Sequence, residues 1–68
     1  MNRLRLAREQ RGISQRDLGK AMGVSAATIS RYETMEREAD YETLIKFADY
    51  FDVSLDYLLG RTDDLSKK

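Results

Sequence analysis

The stretch of this chain best suited to molecular recognition is residues 25–33, "SAATISRYE". As a helix it carries one guanidinium, Arg31, among Ser and Ala side chains that leave the surface nearly bare. A guanidinium is a planar fork of N–H donors that matches a carboxylate, a phosphate or the O6/N7 edge of guanine. A second feature is a pair of opposite charges. Arg8 follows Leu4 by four residues and Glu33 follows Ile29 by four, so each leans with an apolar helical stripe. The two predict a partly buried ion pair, structural rather than catalytic. Bond-making chemistry has little to work with. The 68 residues include no Cys and no His, which excludes disulfides, Cys/His zinc sites and thiol or imidazole nucleophiles. The Asp and Glu residues fall at helix caps and on exposed faces without a recognisable acid/base pair. The expectation is a non-enzyme with no metal, no cofactor and no evident small-molecule ligand.

Charge is distributed unevenly. Residues 1–31 hold seven basic and two acidic groups, a balance of +5, and residues 32–68 hold five basic and ten acidic groups, a balance of −5. A basic half beside an acidic half fits a polyanion-binding face on a soluble body, and an ion-paired surface is the alternative. No apolar run approaches the roughly 20 residues of a membrane span, and the N-terminus lacks the apolar region of a signal peptide. The expected address is cytoplasmic, away from membranes.

The elements that must position these groups are all helical, because no strand-like alternation persists. The sequence predicts a first helix over Asn2–Arg11, stopped by Gly12. Ser14 caps a second over Gln15–Met22, with Asp17 completing a capping box, and Gly23 ends it. Ser25 caps a third over Ala26–Glu33, and Asp40 caps a fourth over Tyr41–Phe51. After a turn at Asp52-Val53, Ser54 caps a fifth over Leu55–Leu59, closed by Gly60. This is one domain over residues 1–60 with a polar tail, 61–68, expected to fray. Leu44, Ile45, Phe47, Ala48, Phe51, Val53, Leu55, Leu58 and Leu59 are its expected C-terminal core positions, with Tyr50 and Tyr57 at core or rim.

Residues 14–33 have a more specific geometry. Leu18 and Met22 share one face of the second helix, Ile29 and Tyr32 share one face of the third, and Val24 plugs the corner between them. Gly19 is small where the helices touch, and Gly23 allows a left-handed turn. That is a helix-turn-helix, whose second helix lies in the DNA major groove. The outward face then comprises Ala26, Ala27, Ser30, Arg31 and Thr34. Small residues let it approach base edges closely, with Arg31 as the long reader and the Ala methyls facing thymine methyls.

The runs "ISQRDLGKAMGVSAATISRYE" and "ETLIKFADYFDVSLDYLLG" resemble the phage-repressor-type (Cro/repressor, or Xre-like) helix-turn-helix family from about Leu4 to Gly60. The resemblance implies a compact, lambda-repressor-like five-helix domain that binds double-stranded DNA, usually as a homodimer on a pseudo-palindromic operator, and regulates transcription, more often as a repressor. Helix 5 lines the dimer face in that family. A protein-interaction module on the same fold is the alternative reading. By the resemblance, Gln15 occupies the position of a phosphate-holding Gln, and Ala26, Ala27, Ser30 and Arg31 occupy positions that commonly meet bases. Ala26 and Ala27 depart from relatives that carry Gln there. Ser25 and Thr28 flank the helix as candidate phosphate donors, and the family often pairs the positions of Arg8 and Glu33. Among Arg3, Arg5, Arg11, Arg16 and Lys20, one or two are expected to touch phosphate, and the sequence does not say which.

The segment "TMEREAD", residues 34–40, departs from the family in another way. Relatives commonly carry Gly at the position of Met35 and Pro at that of Ala39. A left-handed Met costs about 1 kcal/mol or more, and Arg31 to Glu42 contains no helix breaker. The segment therefore predicts an extension of the third helix by up to a turn, or a strained and mobile loop that carries Arg37 past the DNA backbone. Fusion of the third and fourth helices with swapping between protomers is one further outcome. Persistence of the family's loop with Met35 tolerated is another.

Overall fold

Four short polar side chains set the helix starts. Ser14 Oγ accepts from the Asp17 N–H at 3.0 Å, Ser25 Oγ from Thr28 at 3.1 Å, Asp40 Oδ1 from Thr43 at 2.8 Å and Ser54 Oγ from Tyr57 at 3.0 Å. Each satisfies a first-turn donor that has no partner inside its helix. The computed structural model describes residues 2–64. In them the chain forms α1 (Leu4–Gln10), α2 (Gln15–Met22), α3 (Ala26–Glu33), α4 (Tyr41–Phe51) and α5 (Leu55–Leu58), with no strand among the described residues.

The helices close around Leu4, Ala7, Leu18, Ile29, Tyr32, Phe47, Ala48, Phe51, Val53, Tyr57 and Leu58, all buried. Tyr32 and Phe47 meet edge to face, with centroids 6.0 Å apart, joining α3 to α4. The Arg3 N–H donates to the Leu58 carbonyl at 2.7 Å and ties the start of α1 to α5. No described helix is long and apolar enough to cross a membrane.

Several expectations need correction. α1 starts at Leu4 rather than Asn2, because the Asn2 side chain folds back to accept the Leu4 N–H at 3.1 Å. It ends at Gln10, with Arg11 as C-cap ahead of left-handed Gly12. α5 ends one residue early, with Leu59 as its cap. Ile45 lies on the exposed side of α4, since Leu44, Phe47, Ala48 and Phe51 already fill the inward stripe at helical spacing. Leu44, Leu55 and Leu59 are only half-buried. α3 does not extend: it stops at Glu33, Thr34 caps it, and Met35 takes φ +67°. The third and fourth helices are separate. Over residues 61–64 the tail is held against the domain rather than frayed. Arg3 donates to the Thr62 carbonyl at 2.8 Å and to Asp63 at 2.7 Å. Residues 65–68 of the expected tail lie outside the described residues.

Candidate nucleic-acid interface

The α2–α3 corner is built on a backbone contact. A Cβ at Gly19 would lie 2.6 Å from the Val24 carbonyl oxygen, so only glycine fits without a shift. Gly23 turns the chain at φ +74°, and the Val24 N–H returns to the Gly19 carbonyl at 2.9 Å. With Leu18, Ile29 and Tyr32 inward, α3 presents Ala27, Arg31 and Thr34 as its exposed ridge. Ala26, Thr28 and Ser30 are half-buried along its sides. Ser25 Oγ and Thr28 Oγ1 lie 3.0 Å apart, so the two hydroxyls at the helix start form one hydrogen-bonded pair.

Behind this ridge sits a network centred on Glu33. Arg8 Nε donates to Glu33 Oε2 at 2.6 Å and Arg8 Nη2 to Oε1 at 3.3 Å, with side chains 13% and 3% exposed. Arg8 Nη1 also donates to the Ile13 carbonyl at 2.9 Å. The bond to Glu33 raises the Arg8 pKa further above its ordinary value, against the opposing effect of burial. Gln15 Nε2 donates to Glu33 Oε1 at 3.1 Å. One carboxylate thus joins α1, the start of α2 and the end of α3. Spacing pointed to the Arg8–Glu33 partnership. It held no signal for Gln15, whose partner is 18 residues away.

The cations of residues 1–31 divide into two sets. Arg3 is bound to the tail and lies 4.4 Å over the Tyr57 ring. Arg5 pairs with Glu9 at 3.3 Å, Arg8 with Glu33, and Arg11 donates to the Phe51 carbonyl at 2.6 Å. Every α1-side arginine is therefore engaged within the molecule. Arg16 and Lys20 on α2 and Arg31 on α3 make no side-chain hydrogen bond or ion pair among the described residues. Arg37 folds back, its guanidinium 5.9 Å from the Tyr32 ring centroid. Of these engagements Arg8–Glu33 was expected from sequence, and Arg5–Glu9 lies at the four-residue helical spacing legible there. The others depend on remote parts of the chain.

The helix-turn-helix family model matches residues 4–58. The chain belongs to the helix-turn-helix family. Similar members include the HTH-type transcriptional regulator ImmR of Bacillus subtilis (strain 168), 38% identical over 66 residues that cover 97% of this chain and 51% of that protein. Another from the same organism is the uncharacterized HTH-type transcriptional regulator YqaE, 39% identical over 56 residues, 82% of this chain and 48% of the relative. This helix-turn-helix chain spans about half the length of the curated relatives it matches. Among solved structures it resembles the P22 c2 repressor in complex with synthetic operator 9T, with TM-score 0.80 and 38% identity, over 88% of this chain and 91% of that one. The helix-turn-helix core, α2 and α3 with their caps, has the bounds predicted from sequence.

Proposed function

We propose that this protein is a sequence-specific DNA-binding transcriptional regulator of the cytoplasm. It acts as a repressor that lays α3 in the major groove and binds a pseudo-palindromic operator as a homodimer. The observation that carries the reading is the division of the cations. The arginines in and flanking α1 are consumed by internal partners, while Arg16, Lys20 and Arg31, on the two helices of the motif, have no such partner among the described residues. Arg31 stands on a ridge of small residues able to approach base edges, where it suits guanine. Gln15, Ser25 and Thr28 lie at helix N-termini, where N–H groups and the helix dipole favour phosphate. Ala26, Ala27 and Ser30 face the bases by van der Waals contact, and Arg37 lies on the segment that leaves α3. The repressor bound to a synthetic operator and the transcriptional regulators named above support the same reading.

The test is equilibrium binding to selected operator fragments over a salt series, with footprinting. Binding is expected to weaken steeply with salt, and the footprint to span two half-sites about one helical turn apart. Arg31→Ala is expected to cost about 1–3 kcal/mol and to relax preference at one base pair. Gln15→Ala is expected to weaken all duplexes alike, and Arg5→Ala to change little because Arg5 is already paired with Glu9. An unchanged sequence preference in Arg31→Ala moves the reading face elsewhere, and one protein on a single asymmetric half-site rejects the dimer.

A further inference from the structure

The Glu33 carboxylate is almost sealed from solvent, its side chain 3% exposed, yet it touches a residue of the proposed phosphate-binding set. Oε2 is taken by Arg8 at 2.6 Å, and Oε1 accepts from Arg8 at 3.3 Å and from Gln15 Nε2 at 3.1 Å. A carboxylate only accepts, so it dictates which end of the Gln15 carboxamide faces it, and that end is the NH2 group. An amide nitrogen carries two hydrogens, and Glu33 takes one. The other is left at the first position of α2, whose opening N–H groups have no partners inside the helix.

The geometry points to Glu33 as a positioning residue for the DNA interface: it clamps the Gln15 amide through one hydrogen and so aims the second at a backbone phosphate. This rests on the DNA-binding reading above. Arg8 makes the arrangement compatible with a polyanion. Its guanidinium offsets the carboxylate charge, which standing alone behind a phosphate contact would repel the DNA. Arg8 and Glu33 therefore do more than brace α1 against α3, since the fold's internal ion pair also fixes a surface donor.

A sign separates this role from simple electrostatics. Glu33→Gln removes a negative charge from a polyanion-binding protein, and charge alone predicts tighter binding. Positioning predicts the opposite. The single amide oxygen of Gln at 33 goes to Arg8, its NH2 faces Gln15, and the clamp is lost. The experiment is a double-mutant cycle in the 68-residue chain on operator and random duplexes, at a temperature where circular dichroism shows each variant folded. Gln15→Ala is expected to weaken binding about tenfold on both duplexes, the size of one hydrogen bond to a charged group. Glu33→Gln is expected to weaken binding several-fold, and the double variant no more than Gln15→Ala. Unchanged or tighter binding by Glu33→Gln, or single effects that multiply, overturns the positioning role and leaves the DNA reading standing. A wild-type chain that binds no duplex at low salt overturns the DNA reading itself. If Glu33→Gln does not fold, the Gln15 side-chain NH2 signals of the wild type decide by NMR. Protection from exchange at one NH2 proton, with the other shifted by duplex DNA, supports the clamp. Two protons that exchange equally fast, with neither protected, overturn it.

Discussion

Two left-handed residues carry the chain away from a recognition-motif helix, and they reach that conformation by different means. Gly23, φ +74°, follows α2, and Met35, φ +67°, follows α3. At Gly23 the residue type alone suffices, since glycine occupies this region without a Cβ penalty. Met35 has a Cβ and sits in a run of good helix formers, and still the helix stops. Asn2 holds it there. Its Nδ2 donates to the Tyr32 carbonyl at 2.9 Å and to Met35 Sδ at 3.1 Å. Local residue type thus encodes the first turn, and contacts from the N-terminal end of the chain stabilise the second.

The strongest test of that contrast lies where α3 ends. Glu33→Ala, and likewise Arg8→Ala, is expected to cost about 4 kcal/mol, because each leaves a largely buried charge without its partner. Chemical denaturation of the two single variants and the double checks it. A cycle without coupling removes the pair as the anchor of that helix end. Gly19→Val comes next, at about 2–3 kcal/mol by the same assay, since its Cβ meets Val24 backbone rather than a side chain that can move aside. A neutral Gly19→Val would mean that the α2–α3 corner is looser than its contacts imply.

The two left-handed residues are then compared directly by thermal melting. Gly23→Ala is expected to lower stability by about 1 kcal/mol, and Met35→Gly to raise it by about 0.5–1 kcal/mol, opposite signs at nearly equal φ. If Met35→Gly destabilises, its contact with Asn2 and its packing outweigh the strain. The smallest effect is at Asp40, which closes the α3–α4 segment by capping α4. Hydrogen bonds from the Thr43 side chain and backbone hold the Asp40 carboxyl below the ordinary aspartate range. A carboxyl lowered on folding stabilises the protein above its unfolded pKa, and that contribution is lost as pH falls through the folded value. Asp40→Asn keeps an acceptor at the cap, so it is expected to leave neutral-pH stability nearly unchanged and to flatten the acid limb slightly. Melts between about pH 6 and pH 3 test this, and an unaltered acid limb denies Asp40 any part in it.

The sequence by itself determined the starts of α2 to α5, the α2–α3 corner and the inward stripe of the motif. These follow from interactions within a few residues: Ser14, Ser25, Asp40 and Ser54 each reach a donor three residues on, and Leu18, Ile29 and Tyr32 repeat at helical spacing. Only the tertiary structure decided where α3 ends, which arginines remain free, and that Gln15 shares the Glu33 carboxylate with Arg8. Those outcomes depend on partners that are far apart in the chain, such as Asn2 with Met35, Arg3 with Asp63 and Arg11 with Phe51. Residue type tells which groups need partners, because burying an unpaired polar or charged group is costly. It does not tell which partners the packed helices bring within reach.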